Sequence, residues 1–163
     1  MANGYQQEGV GLSLVDRLID DQPGVQREVP PSASEQMRQF KAALCRDLTA
    51  LLNTRRAEQD FDKAYEASAD SLLSFGIADF TSFNLKSAAE QELVRLSIER
   101  AVREFEPRLA GVEVTVEEPD PARPELRFQI SALLRTEPAV QPVLFDATLR
   151  RESRRISVSG GSS

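Results

Sequence analysis

Carboxylates are the residues through which this sequence could do chemistry: it carries 26 Asp and Glu, no histidine and one cysteine. Without histidine, Ser-His and Cys-His nucleophile pairs and most transition-metal sites are excluded together. No glycine-rich phosphate loop and no cysteine cluster is present, so no cofactor and no metal are expected. Carboxylate chemistry on a glycoside needs two acids roughly 5 Å apart, one of them raised in pKa by an apolar pocket. Glu104 and Glu106 stand two residues apart and would point to different faces of a helix. Glu113 and Glu117 fall on the polar side of a strand pattern, where no apolar pocket is implied. The expected answer is therefore not an enzyme.

One acid is placed oddly all the same. Glu106 follows a helical stripe and sits where a helix's exposed carbonyls already make a negative end, a placement that costs roughly 0.3–1 kcal/mol unless offset. Pro107 ends the helix by pushing Glu106 out of the α region, and Arg103 and Arg108 are near enough to supply the offsetting charge. Two readings stay open. Glu106 and Arg108 form an ion-pair cluster that fixes the corner, or Pro107 holds them rigid to meet a partner's charges.

The elements around that corner are marked by capping and periodicity. Ser87 and Glu90 have the spacing of a capping box, and Val94, Ile98, Ala101, Val102 and Phe105 recur at helical spacing, with Leu93 and Leu96 widening the stripe. Val112, Val114 and Val116 then alternate with polar residues as a strand with one buried face. Upstream, Ser32 and Glu35 form another capping box before Met37, Phe40, Leu44, Leu48, Leu51 and Leu52, and Asn53 suits a left-handed C-terminal cap. Residues 54–66 read as a surface loop anchored by Phe61 and Tyr65, and 67–75 as a short helix closed by Gly76. Leu14, Val15, Leu18 and Ile19 make a short amphipathic helix, set apart by a proline-containing connector; it is either a strap on its own domain or a docking peptide.

Downstream, prolines in 117–124 bound a loop. Strand alternation follows at Leu126–Ala132 and Val143–Leu149, with Ile156 and Val158 as a short last strand before a Gly-Ser tail. Helices first and an antiparallel sheet of about four strands last make the class α+β, with the N-terminal helices packed on the C-terminal sheet. Residues 1–31 read as an extension, 32–159 as one domain and 160–163 as a flexible tail. Arg150, Arg151, Arg154 and Arg155 gather at the last hairpin of a chain whose formal net charge is −6. An edge strand there could recruit a strand from another chain, with Arg154, Ile156 and Val158 at the contact. The acidic balance argues against nucleic acid and anionic membrane as partners, and no apolar run is long enough to span a bilayer. The lone Cys45 in a helical pattern fits a small apolar core residue in a reducing, cytoplasmic setting.

Five stretches together resemble one family: LSLVDRLID at 12–20, DLTALLNTR at 47–55, SLLSFGIADF at 71–80, FEPRL at 105–109 and LRFQISALL at 126–134. The chain is similar to TssE, the type VI secretion baseplate family, and to phage-tail baseplate wedge proteins labelled lysozyme-like. The family's Glu-Pro-Arg motif falls on Glu106, Pro107 and Arg108 without departure, whereas Ala78 stands where a proline is usual. The resemblance implies a structural role beside TssF, TssG and TssK, a fold like the handshake domain of contractile sheath subunits, and nucleation of a sheath built of TssB and TssC. It also favours a partner-facing role for Glu106, Pro107 and Arg108. The label itself keeps a peptidoglycan hydrolase, a lysozyme-like muramidase, as the alternative function.

Overall fold

A computed structural model describes residues 32–56, 74–80, 82–84, 87–117, 125–136, 139–150 and 152–161. The expected extension at 1–31, with Leu14 and Leu18, lies outside the described residues, as do residues 57–73 of the loop and short helix expected over 54–75.

Helix α1 spans Ala33–Asn53, and its capping box forms: Ser32 Oγ accepts from the Glu35 amide while the Glu35 carboxylate accepts from the Ser32 amide. Helix α2 spans Ala88–Phe105. Ser87 precedes it without a side-chain capping bond, so the box expected from Ser87 and Glu90 is not made. Leu93 and Leu96 do not widen its stripe either: they are 54% and 46% exposed, because Val94, Ile98, Ala101 and Val102, with Phe105 packed beside them, fill the face turned to the core.

Strands β1 (Leu109–Val116), β2 (Glu125–Leu134), β3 (Gln141–Arg150) and β4 (Ile156–Gly160) form an antiparallel sheet in the order β1-β2-β3-β4. Helices followed by sheet give the expected α+β class. One sheet face carries Val112, Val114, Leu126, Phe128, Ile130, Val143, Phe145, Ala147 and Leu149 into a single core with the apolar faces of both helices. Burying each large side chain there is worth roughly 1.5–3 kcal/mol. Helix α2 packs along β1 and α1 along β4, so each helix flanks one edge of the sheet.

Strand β1 begins earlier than its valine alternation suggests, because it contains a bulge. Ala110 pairs with Leu133 and Glu113 with Ser131, so Gly111 and Val112 stand against Ala132 alone. Gly111 takes φ 59°, a left-handed position suited to glycine. The bulge resets the alternation and lets both Leu109 and Val112 face the core.

The structure also moves Asn53 from its expected role. It is the last helical residue, and Thr54, in extended conformation, is the cap. The Asn53 amide instead reaches across to β4, as described below. Gly76, with φ 104°, lies so close to the Thr54 carbonyl that a Cβ would collide with backbone, while Ile77 N–H donates to that same carbonyl at 3.0 Å.

Candidate functional site

The corner between α2 and β1 is a compact charge cluster. Glu106 caps the helix, its amide donating to Val102 O at 3.0 Å, and Leu109 N–H returns to Glu106 O at 3.1 Å across Pro107. That tight turn brings the two side chains back toward each other. Arg108 Nε donates to Glu106 Oε1 at 2.6 Å and Nη2 to Oε2 at 2.5 Å, a bidentate fork that lysine could not make. Nη2 also donates to Asp47 Oδ2 on α1 at 2.7 Å, and the guanidinium lies 5.6 Å from the centre of the Phe40 ring. Glu106 is 5% exposed, whereas Pro107 is exposed and Arg108 partly so. Its hydrogen bonds to Glu106, and then to Asp47, hold the Arg108 guanidinium charged well above its usual range against the opposing effect of burial.

Of the two readings left open at this corner, the intrachain pair is the geometry present. Arg103 takes no part in it: it turns away to Glu99 at 2.8 Å and to β1. Glu104, the other acid at the helix end, pairs with Arg100 at 3.4 Å and accepts from Ser74 Oγ at 3.3 Å. Asp47 was not anticipated as a member; the only trace of it in the sequence is that it opens the stretch DLTALLNTR.

The terminal hairpin is also drawn inward. Arg154, in a left-handed conformation, donates through Nη1 to the carbonyls of Phe80 and Phe83 at 3.3 and 3.2 Å, and its own carbonyl accepts from Arg55 at 3.0 Å. Ile156 is buried and Val158 packs against the core. Along the outer edge of β4, Asn53 Oδ1 accepts from Ile156 N–H at 3.0 Å, Asn53 Nδ2 donates to Ile156 O at 2.6 Å, and Thr49 Oγ1 accepts from Val158 N–H at 3.2 Å. The structure thus gathers Glu106, Pro107 and Arg108 at one place and Arg154, Ile156 and Val158 at another.

The outer edge of β1 is covered in a parallel manner by α2. Arg103 donates twice to Val112 O, at 3.1 and 2.8 Å, and Arg95 Nη1 donates to Val114 O at 3.0 Å. Glu99 Oε2 accepts from Val114 N–H at 3.4 Å and from Arg95 at 2.6 Å. These residues and Glu92 line an open groove running beside residues 111–116.

Among the described residues, the Glu35 and Glu92 carboxyls are held below the usual range, by hydrogen bonds from Ser32 and from Arg95 respectively. A general acid needs the opposite shift. Burial pushes the Cys45 thiol up, away from the thiolate that nucleophilic chemistry requires.

A domain that spends its charged groups on fixing corners and covering strand edges has the build of a structural component. Residues 38–139 match the family of the baseplate wedge protein gp25, most of the chain, and the chain belongs to that family of structural baseplate components. A solved chain from "The baseplate complex from the type VI secretion system" is similar at 14% identity, with 70% of this chain and 97% of that chain covered and a TM-score of 0.46. No curated protein matches. Among the described residues, no helix is long and apolar enough to cross a membrane.

Proposed function

We propose that this chain is a wedge component of a type VI secretion baseplate, that it links the baseplate to the contractile sheath, and that it nucleates sheath polymerisation. The observation that carries the reading is membership of the baseplate wedge family across residues 38–139, a span that contains Glu106, Pro107 and Arg108. The five sequence stretches quoted above support the type VI assignment in particular. On this reading the cytoplasmic partners are TssF, TssG and TssK in the wedge and TssB and TssC in the sheath, with no enzymatic step.

A wedge component must hold its contact surfaces at fixed angles while a large assembly forms around it. The Glu106–Arg108–Asp47 cluster suits that demand, because it ties α1, the end of α2 and the start of β1 into one rigid corner. Exposed Pro107 and the partly exposed side chain of Arg108 are the part of this corner that meets a partner, and Glu106 fixes it from behind. The apolar stripe of Leu14 and Leu18 supplies a second, separable docking element.

The test is an affinity pull-down of the tagged full chain co-expressed with TssF, TssG, TssK, TssB and TssC. Stoichiometric recovery of wedge components and sheath subunits is expected. Recovery of none of them, from cells in which they assemble with one another, contradicts the reading.

A further inference from the structure

The sheet is covered on one face only. Its inward residues meet both helices, while the alternate residues of β2 and β3 point the other way, and among the described residues no element packs over them. That open face differs from end to end. At one end Leu133 is 45% and Val140 57% exposed; Pro142, paired with Leu133, is exposed too, and Leu144 is half-buried beside them. At the other end Arg127, Arg150 and Arg155 are exposed around Thr148, which pairs with Arg127 on one side and Ser157 on the other. Arg150 N–H donates to Arg155 O at 3.1 Å, so these two arginines close the last hairpin.

The basic end is poorly matched by acids of the chain itself. Arg150 reaches Glu125 at 3.6 Å, and Arg127 and Arg155 have no ion-pair partner among the described residues. Guanidinium groups left open at one end run counter to the sign of a chain whose formal net charge is −6. Asp146, in register with Gln129 and Ser159, lies between the basic and the apolar end and repels an acid set down there. A ligand that matches the face therefore brings carboxylates at one end and apolar groups at the other. Arg127 and Leu133 are about 20 Å apart along β2, a span that an α-helix crosses in about 13 residues. A helix fits better than a strand, because the face offers side chains alone and a helix satisfies its own backbone.

We propose that the open face of β2 and β3 docks a helix of another chain, apolar in one half and carboxylate-bearing in the other. Its apolar half covers Leu133, Val140 and Pro142, and its acids meet Arg127, Arg150 and Arg155. The direction is set by the face: a reversed helix would press its acids onto the leucine end and leave the arginines unmatched. The face is argued from its own residues. That the helix belongs to a second wedge protein rests on the reading of the chain as a wedge component.

A synthetic helical peptide of about 15 residues, with leucines in one half and glutamates in the other, is the probe, and its analogue with lysine for each glutamate is the control. Followed by amide chemical shifts of the full chain, the glutamate peptide should move Leu133 and Leu144 together with Arg127 and Thr148. The lysine analogue should leave Arg127 and Thr148 unmoved. Arg127→Gln combined with Arg155→Gln, both exposed, should keep the melt unchanged and weaken the glutamate peptide roughly two- to thirtyfold, the worth of two exposed ion pairs. Equal shifts by the two peptides, shifts at one end alone, or unchanged affinity of the double variant overturns the inference. In the co-expression pull-down, Leu133→Asp and the double variant should lose wedge components that the unaltered chain recovers. Full recovery of TssF, TssG and TssK by both variants overturns this surface. No recovery by the unaltered chain overturns the proposed function instead, and the peptide titration then decides the face.

Discussion

Replacing Arg108 with alanine separates the roles of the corner most sharply. The substitution leaves the Glu106 carboxylate, 5% exposed, with the Arg108 backbone N–H at 3.2 Å and without the 2.6 and 2.5 Å bonds of the guanidinium. Breaking a buried pair in this way costs roughly 3–5 kcal/mol, and the lower half applies because Arg108 is 21% exposed and water can approach its side. The lost contact with Asp47, which is 32% exposed, adds under about 1 kcal/mol, and the lost face of Phe40 about 0.5 kcal/mol. The expected loss is about 3.5–5.5 kcal/mol, or roughly 7–22 °C in Tm for a chain of this size. Denaturant melts of Arg108→Ala, Glu106→Ala and the double variant measure it. The double variant should be no less stable than Arg108→Ala alone, because removing the acid as well removes the stranded charge. A loss below about 1 kcal/mol for Arg108→Ala would refute the reasoning, since that is the figure for a solvent-exposed pair. Pull-downs on the same variants, at temperatures where each remains folded, then show whether the corner also meets a partner.

Other outcomes follow from particular contacts. Gly76→Ala should destabilise by at least about 1–3 kcal/mol in thermal melts, because φ 104° and the Thr54 carbonyl together leave no room for a Cβ. Asn53→Ala should cost about 1–3 kcal/mol and speed exchange of the Ile156 amide selectively, as both edge bonds to β4 vanish. Ser32→Ala should cost about 0.5–2 kcal/mol in denaturant melts. The Glu35 carboxyl is held below its unfolded value, so its part of the cap is present above the ordinary carboxylate range and lost as pH falls through the lower folded value; the Ser32→Ala penalty should shrink in acid accordingly. Deleting residues 1–22 should leave the melt unchanged and weaken recovery of baseplate components; a sharply lower Tm would make Leu14 and Leu18 a strap on the domain.

Periodicity made the sheet and both helices readable in advance because their buried positions are regular: every second residue of β2 and β3, and one stripe of each helix, enter the core. What escaped the sequence depends on contacts distant along the chain. Asn53 looks like a helix terminator, yet its partner is Ile156, and no local pattern reports a pairing across that interval. The bulge at Gly111 breaks the alternation that would place Leu109 inward. Leu93 and Leu96 fit a helical stripe, but α2 meets the sheet along a narrower line than its apolar residues define. For the site, the Glu106–Pro107–Arg108 motif located the corner, while which way the charges turn was fixed by Asp47, 61 residues away.

At the last strand the sequence pointed to an edge but could not give its parity. Arg150 N–H donates to Arg155 O and Gly161 N–H to Leu144 O, so the odd-numbered amides of β4, Ser157 included, face β3. Of the outward donors, those of Ile156 and Val158 are already taken by α1. A proline at Ser157 would therefore break the sheet from within and could not report on strand addition from outside.

The central claim is that sheath assembly starts on this chain. Counting sheaths by fluorescence of a labelled sheath subunit, in cells that carry the secretion system with this chain deleted, tests it most directly. The account predicts that sheaths disappear while sheath subunits remain present, and that they return when the unaltered full chain is supplied. Sheaths at normal number and length in the deleted cells would contradict it.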